Sequence, residues 1–432
     1  MAKITSVKAY TVLDSRGLPT VQCEVEIVEN DKKAKGIASV PSGASTGTHE
    51  ALELRDGESS YGGKGVLKAV NNVNDKIKSA IINQEFSNAE ILDQAILALD
   101  SSQNKSELGA NAILAVSMAA HRAFASLLGI ELYQYISDLY FPQNSTKLKS
   151  GDFVFPKWMC NIINGGVHAD SGLSIQEFMI IPDSNDIEKS AQIAAEVYQS
   201  LKKILKSKGM VVAVGDEGGF APKIPSAEEV LETIKLAISK AGHEGKCDLA
   251  LDVAASEFYG KAIKEVEGET YEAGKYYFQD KVLDSAGLVA EFENLVQNYG
   301  LVSIEDGLNE DDLEGWSLLT QKLGKKIMLV GDDLFVTNVS RLQDIGINQG
   351  IANSILIKLN QIGSVSETCA AINLAQNNNI STVISHRSGE TTDSFIADLA
   401  LASQSPYIKT GAVSRGERLS KINRLIEVKN NL

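Results

Sequence analysis

Six short apolar runs in the second two-thirds of the chain each stop at a charged or polar residue: LALDVA at Asp252, LVSIEDG at Glu305, MLVGDDL at Asp332, SILIKLN at Lys358, TVISHRSG at His386 and PYIKTG at Lys409. A series of strand ends carrying three acids, then a lysine, a histidine-arginine pair and a second lysine has the make-up of a barrel rim that does chemistry. Asp252, Glu305 and Asp332 offer hard oxygen ligands from three separate strands, a donor set suited to Mg²⁺ with positions left for water and substrate. An acid just after a strand also commonly caps the next helix, so the metal reading rests on the three recurring together.

Lys358 is flanked by apolar residues, where an ammonium is costly unless it faces a polar cavity. Near a metal and a second cation it loses its proton more readily and can act as a base; the alternative is a lysine that snorkels from a strand end. Lys409 is the candidate second cation, against a solvated surface amine. His386, Arg387 and Ser388 combine a guanidinium fork with a hydroxyl, which suits a phosphate or carboxylate, although a lone histidine there would read as a core residue. In VAVGDEGGF, glycines bracket Asp216 and Glu217 and permit backbone turns that side chains would forbid. A carboxyl such as Glu217, crowded by like charge, has the raised pKa of a general acid; the alternative is an ordinary turn. NGGVHADSG and IQEFM add His168, Gln176 and Glu177 as weaker candidates. SVPSGASTGTHE has the small residues of a lid, and no GxxxxGK[ST] phosphate loop occurs, since the GGKG at Gly62 to Gly65 lacks the following hydroxyl.

The elements that must position these residues divide in two. ITSVKAYTVL, TVQCEVEIV and KGIASV read as three strands, followed by the helical patterns LKAVNNVNDKIKSAII, AEILDQAILAL and ANAILAVSMAAHRAFASLLG. Strands followed by helices predict an α+β domain. Periodicity lapses at FPQNSTKLKSGDF, which is read as a linker, and beyond it strands alternate with helices, one of them opened by a capping box from Ser226 to Glu229. Alternation at this length predicts an α/β fold with a TIM-like β/α barrel, against an open doubly wound sheet that the absence of a Rossmann glycine fingerprint disfavours. TYEAGKYYFQD, rich in β-prone residues, is expected to form an insertion or hairpin within the barrel.

A length of 432 residues fits two domains better than one core. With 41 Lys+Arg against 56 Asp+Glu, the net charge of -15 opposes binding to a nucleic-acid backbone. No segment offers the about 20 uninterrupted apolar residues of a membrane span or the pattern of a signal peptide, so a cytoplasmic protein is expected. Cys23, Cys160, Cys247 and Cys369 are scattered without a CxxC pair and read as reduced thiols.

Taken together, SGASTG, NGGVHADSG, QEFMIIP, VGDEGGFAP, LDVAASEF, SIEDGL, VGDDLFVTN, ILIKLNQIG, SHRSGET and IKTGAVSR are similar, in kind and order and over essentially the whole chain, to the motif series of the enolase family. SIEDGL and GDDLFVTN resemble the bacterial members. The resemblance implies a smaller α+β domain over 1–142, with a lid loop at 41–48, and over 143–432 a β/α barrel with an irregular ββαα start. It implies reversible Mg²⁺-dependent dehydration of 2-phosphoglycerate to phosphoenolpyruvate. By position, Asp252, Glu305 and Asp332 match the ligands of a first Mg²⁺, and Ser45 matches the serine that helps bind a second together with the substrate phosphate. Lys358 matches the general base, Glu217 the general acid, and Arg387 and Ser388 the phosphate-binding pair. Gln176, His168, Glu177, His386 and Lys409 match substrate-contacting or proton-relay positions.

The resemblance further implies a homodimer or a larger homo-oligomer such as an octamer, and a surface or secreted pool beside the cytoplasmic one is known among such proteins. Two departures, Cys160 after Met159 and SRGER after the last functional lysine, touch no proposed catalytic position. Two other readings stay open at this point. One is a related Mg²⁺ barrel enzyme acting on an unphosphorylated acid, for which Ser45, Arg387 and Ser388 would be superfluous; the other is a non-catalytic scaffold.

Overall fold

Alternating apolar residues in the first strands bury one face of a sheet: Val21, Cys23, Val25 and Ile27 all point inward from a single strand. The computed structural model describes residues 1–43, 47–57, 59–150, 154–166, 171–260, 264–266 and 269–431. Strands β1 (Ala2–Leu13), β2 (Pro19–Glu29), β3 (Lys32–Ser39) and β4 (Glu85–Phe86) form an antiparallel sheet in the order β3-β2-β1-β4. Against β2 and β3 lies the helix Ala110–Leu128, alanine-rich and almost wholly buried. It is long and apolar enough to cross a membrane, but its surface is covered by the fold. The approach is close enough that a Cβ on Gly36 of β3 would sit 1.9 Å from the Ala119 carbonyl oxygen. The run LKAVNNVNDKIKSAII is one helix whose middle, Asn72–Ile77, widens into a π-turn segment.

The expected linker is a helix instead. Pro142–Ser150 is helical, with proline in the first turn, where its missing N–H costs nothing. Its Asn144 amide donates to the Ser403 carbonyl at 3.1 Å. Few apolar residues are needed where so short a helix lies mostly against solvent, and the composition therefore read as a loop.

The barrel is closed by eight strands, β5 (Lys157–Asn164), β6 (Glu177–Pro182), β7 (Cys247–Asp252), β12 (Leu301–Glu305), β13 (Met328–Gly331), β14 (Ser354–Ile357), β15 (Ser381–Ser385) and β16 (Tyr407–Lys409). Between β7 and β12 come two small hairpins, β8 (Lys264–Val266) with β9 (Glu269–Tyr271) and β10 (Tyr276–Phe278) with β11 (Lys281–Leu283), where the insertion was expected. β6 runs antiparallel to both β5 and β7, and all other barrel neighbours are parallel. Two helices in succession, Ile187–Ser207 and Ala227–Lys240, then return the chain to β7, giving the ββαα start. Both helices are capped, Asp186 accepting the Glu188 N–H and Ser226 the Glu229 N–H, the latter being one half of the expected capping box. Met159, Met179, Ile181, Ala250, Val330, Leu356 and Val383, from six different strands, form an apolar plug in the barrel interior.

Buried polar contacts join the N-terminal layer to the barrel. Arg122 forks onto Asp393 at 2.6 and 2.7 Å, and the Ser39 N–H donates to the same carboxylate at 3.0 Å. Ser117 Oγ donates to buried Asp93 at 2.8 Å and accepts the Val365 N–H at 3.0 Å.

Gly36→Ala is expected to lower stability by about 1–3 kcal/mol, because the added methyl forces β3 away from a packed helix. An unchanged melting temperature would contradict the spacing described for this pair.

Candidate active site

Ten residues singled out in the sequence line one buried cavity at the barrel mouth: Gln176, Glu177, Glu217, Asp252, Asp332, Lys358, His386, Arg387, Ser388 and Lys409. The parallel strands deliver their last residues to this rim, and the reversed β6 delivers its first, Glu177, in register with Asp252. Glu305, at the end of β12 and fully buried, is joined to the cavity by Lys409. Ser45 and His168 lie outside the described residues.

Lys409 Nζ is the centre of the arrangement. It donates to Asp252 Oδ2 at 2.9 Å and to both Glu305 oxygens at 2.9 Å, and lies 3.2 Å from Glu177 Oε1. Burial opposes its charge, but Asp252, Glu177 and Glu305 overcome that and hold the ammonium well above its usual range. Burial raises the Glu177 carboxyl well above normal, with Glu217 adding to the effect, and it raises Glu305 likewise, with Asp252 adding.

On the far side, Lys358 Nζ bonds Asp332 Oδ2, and Gln361 donates to Asp332 Oδ1 at 2.8 Å. Burial acts to lower the Lys358 ammonium and to raise the Asp332 carboxyl; their mutual attraction reverses both, so the lysine is raised and the acid lowered. The chain turns sharply after these strands: Ala254, Asp306, Val336 and Thr337 all have positive φ, a strain borne by residues other than glycine. At Asp306 the turn lets the side chain accept the Asp332 and Asp333 N–H groups at 2.8 and 2.9 Å.

Glu217 accepts from Asn161 Nδ2 at 3.0 Å and lies 3.5 Å from His386 Nε2. The two glycines after it are required: Gly218 has φ +86° and a Cβ there would stand 2.5 Å from the Ser414 carbonyl oxygen, and one on Gly219 would stand 2.4 Å from Asn164 Oδ1. Arg387 is claimed by an acid from the N-terminal layer, forking onto Glu50 at 2.9 and 3.1 Å and donating to Asn360 Oδ1 at 2.9 Å. The flanks of the lid-like segment are pinned nearby, Ser42 and Gly389 exchanging backbone hydrogen bonds and Thr48 donating to Glu310 at 3.1 Å.

Reading the sequence missed four contributors: Asp306, Asp333, Glu50 and Asn161. The first two directly follow predicted acids in IED and GDD, a doubling that was visible. Glu50 and Asn161 act only through tertiary contacts. Among the described residues, Asp306, Asp332 and Asp333 form the acidic group whose ligand atoms lie within 4.8 Å of one another. Burial and the neighbouring Asp332 push the Asp333 carboxyl up to about 8.

The lining carries the acids Glu177, Glu217, Asp252, Glu257, Asp306, Asp332 and Asp333 against only Lys358, Arg387 and Lys409 as fixed cations. A cavity so rich in hard-oxygen donors, with the carboxyls of Glu177, Asp306 and Asp333 raised, fits a divalent cation. Gln176 Oε1, buried and without a hydrogen-bond partner among the described residues, also fits a ligand in this cavity.

A closed β/α barrel with its second strand reversed, whose mouth sets two buried lysines and an arginine among clustered acids, defines a barrel enzyme acting on a small molecule. Residues 152–432 match the family model for the enolase C-terminal TIM barrel domain, and residues 4–136 match that for the enolase N-terminal domain. The chain is 53% identical over 433 aligned positions to the enolase of Elusimicrobium minutum (strain Pei191), covering 100% of this chain and 97% of that protein. The chain belongs to the enolase family, and it is an enzyme of the lyase class.

Lys409→Ala leaves Glu177, Asp252 and Glu305 buried without their shared cation. Metal-free protein should then lose about 3–5 kcal/mol of stability, part of it recovered on adding Mg²⁺. Equal melting temperatures for this variant and the parent in chelator would contradict the central role of the ammonium.

Proposed function

We propose that this enzyme catalyses the reversible dehydration of 2-phospho-D-glycerate to phosphoenolpyruvate and water. The observation that carries the reading is a lysine, Lys358, and a carboxyl, Glu217, lining the same buried cavity as Arg387 and Ser388. Lys358 Nζ takes the proton beside the substrate carboxylate, leaving the electron pair in an enolate. Glu217 then gives its proton to the departing hydroxyl, and the C–O bond breaks to release water. Arg387 and Ser388 hold the phosphate, while Gln176, Glu177, His168 and His386 contact the substrate or relay protons. Two Mg²⁺ ions, the first at Asp252, Glu305 and Asp332 and the second with Ser45 and the substrate phosphate, supply when bound the positive charge that a dianionic enolate needs.

The pairing of Lys358 with Asp332 bears on this assignment. While Asp332 faces it, the amine stays protonated; a lysine whose acid partner is engaged by a cation is free to lose its proton and act as a base.

The reading extends to organisation. It takes 1–142 and 143–432 as two domains, supported by matched family ranges that fall on either side of that boundary. It takes the protein to be a cytoplasmic homodimer or larger homo-oligomer. Exposed Leu13, Val211 and Val214 support the assembly: their segments are tied together by Arg415, which donates to the Ser15 and Gly215 carbonyls.

The test follows the ultraviolet absorbance of the enol product from 2-phosphoglycerate, with and without a chelator. Turnover should require Mg²⁺ and fall by at least about a hundredfold in both Lys358→Ala and Glu217→Gln. Exchange of the α-proton with solvent should stop in Lys358→Ala and persist in Glu217→Gln; equal exchange in both would refute the two roles. Activity on an unphosphorylated hydroxy acid with none on 2-phosphoglycerate would refute the substrate.

A further inference from the structure

Arg418 is completely buried, two residues into the final helix Gly416–Asn430, and its guanidinium reaches back under the barrel mouth. Nη1 donates to His386 Nδ1 at 2.8 Å and to the Arg387 carbonyl at 2.6 Å. Nη2 donates to the Ser388 carbonyl at 2.6 Å and to the Asp216 carbonyl at 2.9 Å. One rigid fork therefore joins the turn that carries His386, Arg387 and Ser388 to the residue just before Glu217.

The contact with the ring has a chemical consequence. Guanidinium has no acceptor, so Nδ1 must be the acceptor of this bond and the ring proton must sit on Nε2. Nε2 is the atom 3.5 Å from Glu217 Oε1. The charged groups facing the ring are Glu217 from the glycine-bracketed loop, Arg418 from the last helix and Lys409 from β16. Burial, with help from the two cations and against Glu217, pushes the imidazolium down to about 3, consistent with a neutral ring.

We propose that Arg418 is a positioning residue for the acid half of the reaction, acting through His386: it fixes that ring as the Nε2–H tautomer aimed at Glu217. The proposal rests on the roles given above to Glu217 and His386. A lysine at position 418 would keep the positive charge but lose the planar fork that bonds ring and backbone together.

The test uses full-length protein with ¹⁵N-labelled imidazoles; the chain has only five histidines, and His386 is assigned from the signal lost in His386→Gln. The parent should show Nδ1 unprotonated and Nε2 protonated. Arg418→Lys should mix the two tautomers and lower kcat about a hundredfold, the scale of a small misplacement of a catalytic group, with less effect on KM for 2-phosphoglycerate. In His386→Gln, adding Arg418→Lys should cost little more. A parent with the proton on Nδ1, or losses that simply add in the double variant, would overturn the proposal. If Arg418→Lys does not fold, the tautomer of the parent still decides. A parent inactive on 2-phosphoglycerate would instead refute the functional reading, leaving the tautomer measurement to judge the Arg418 contact.

Discussion

The structure is organised around unbalanced buried charge. Three acids converge on the Lys409 ammonium, and more carboxylates crowd the same cavity than its fixed cations can neutralise. Desolvation makes each unpaired charge costly, so such a cluster persists only where the surrounding fold holds it rigidly. The closed barrel provides that rigidity. Its strands fix the backbone positions of the acids, and the apolar plug beneath them leaves the side chains no room to withdraw.

The N-terminal layer takes part in the same electrostatic system. Glu50 forks onto Arg387 of the cavity lining, and Arg122 is matched by Asp393 from the barrel side of the seam. Neither half would tolerate these groups alone: a buried guanidinium or carboxylate needs its partner from the other half. The seam is therefore cemented by charge pairs as much as by apolar packing, and Arg387 is fixed partly by residues far from it in sequence.

Much of this was legible in the sequence, for physical reasons. Strand ends were readable because a short apolar run that stops at an acid or lysine marks where a buried strand emerges into a polar space, as at Asp252, Glu305 and Lys409. Glycine requirements at Gly218 were readable because backbone constraint leaves a residue-type signature. The helix Pro142–Ser150 was misread because its few burial demands leave no apolar period. Asn161 and Arg418 were invisible as members of the site because each is placed by a contact across the fold, and Glu50, although it ends the segment read as a lid, gave no sign that it would fork onto Arg387. Asp306 and Asp333 stood in plain view beside predicted acids; what concealed them was the left-handed turn at Asp306 that folds its side chain back onto the next strand end.

The reversal of β6 also changes the mechanics of the mouth. Where neighbouring strands are parallel, a mouth loop leads into a helix, and a change in its length shifts where that helix docks. The loop between β5 and β6 instead starts at Asn164 and ends at Glu177, two residues paired with each other in the ladder. Both of its anchors are thus set by strand register rather than by loop length. A change in the number of residues between these anchors would therefore leave the span they bridge and the acid at its end where they are.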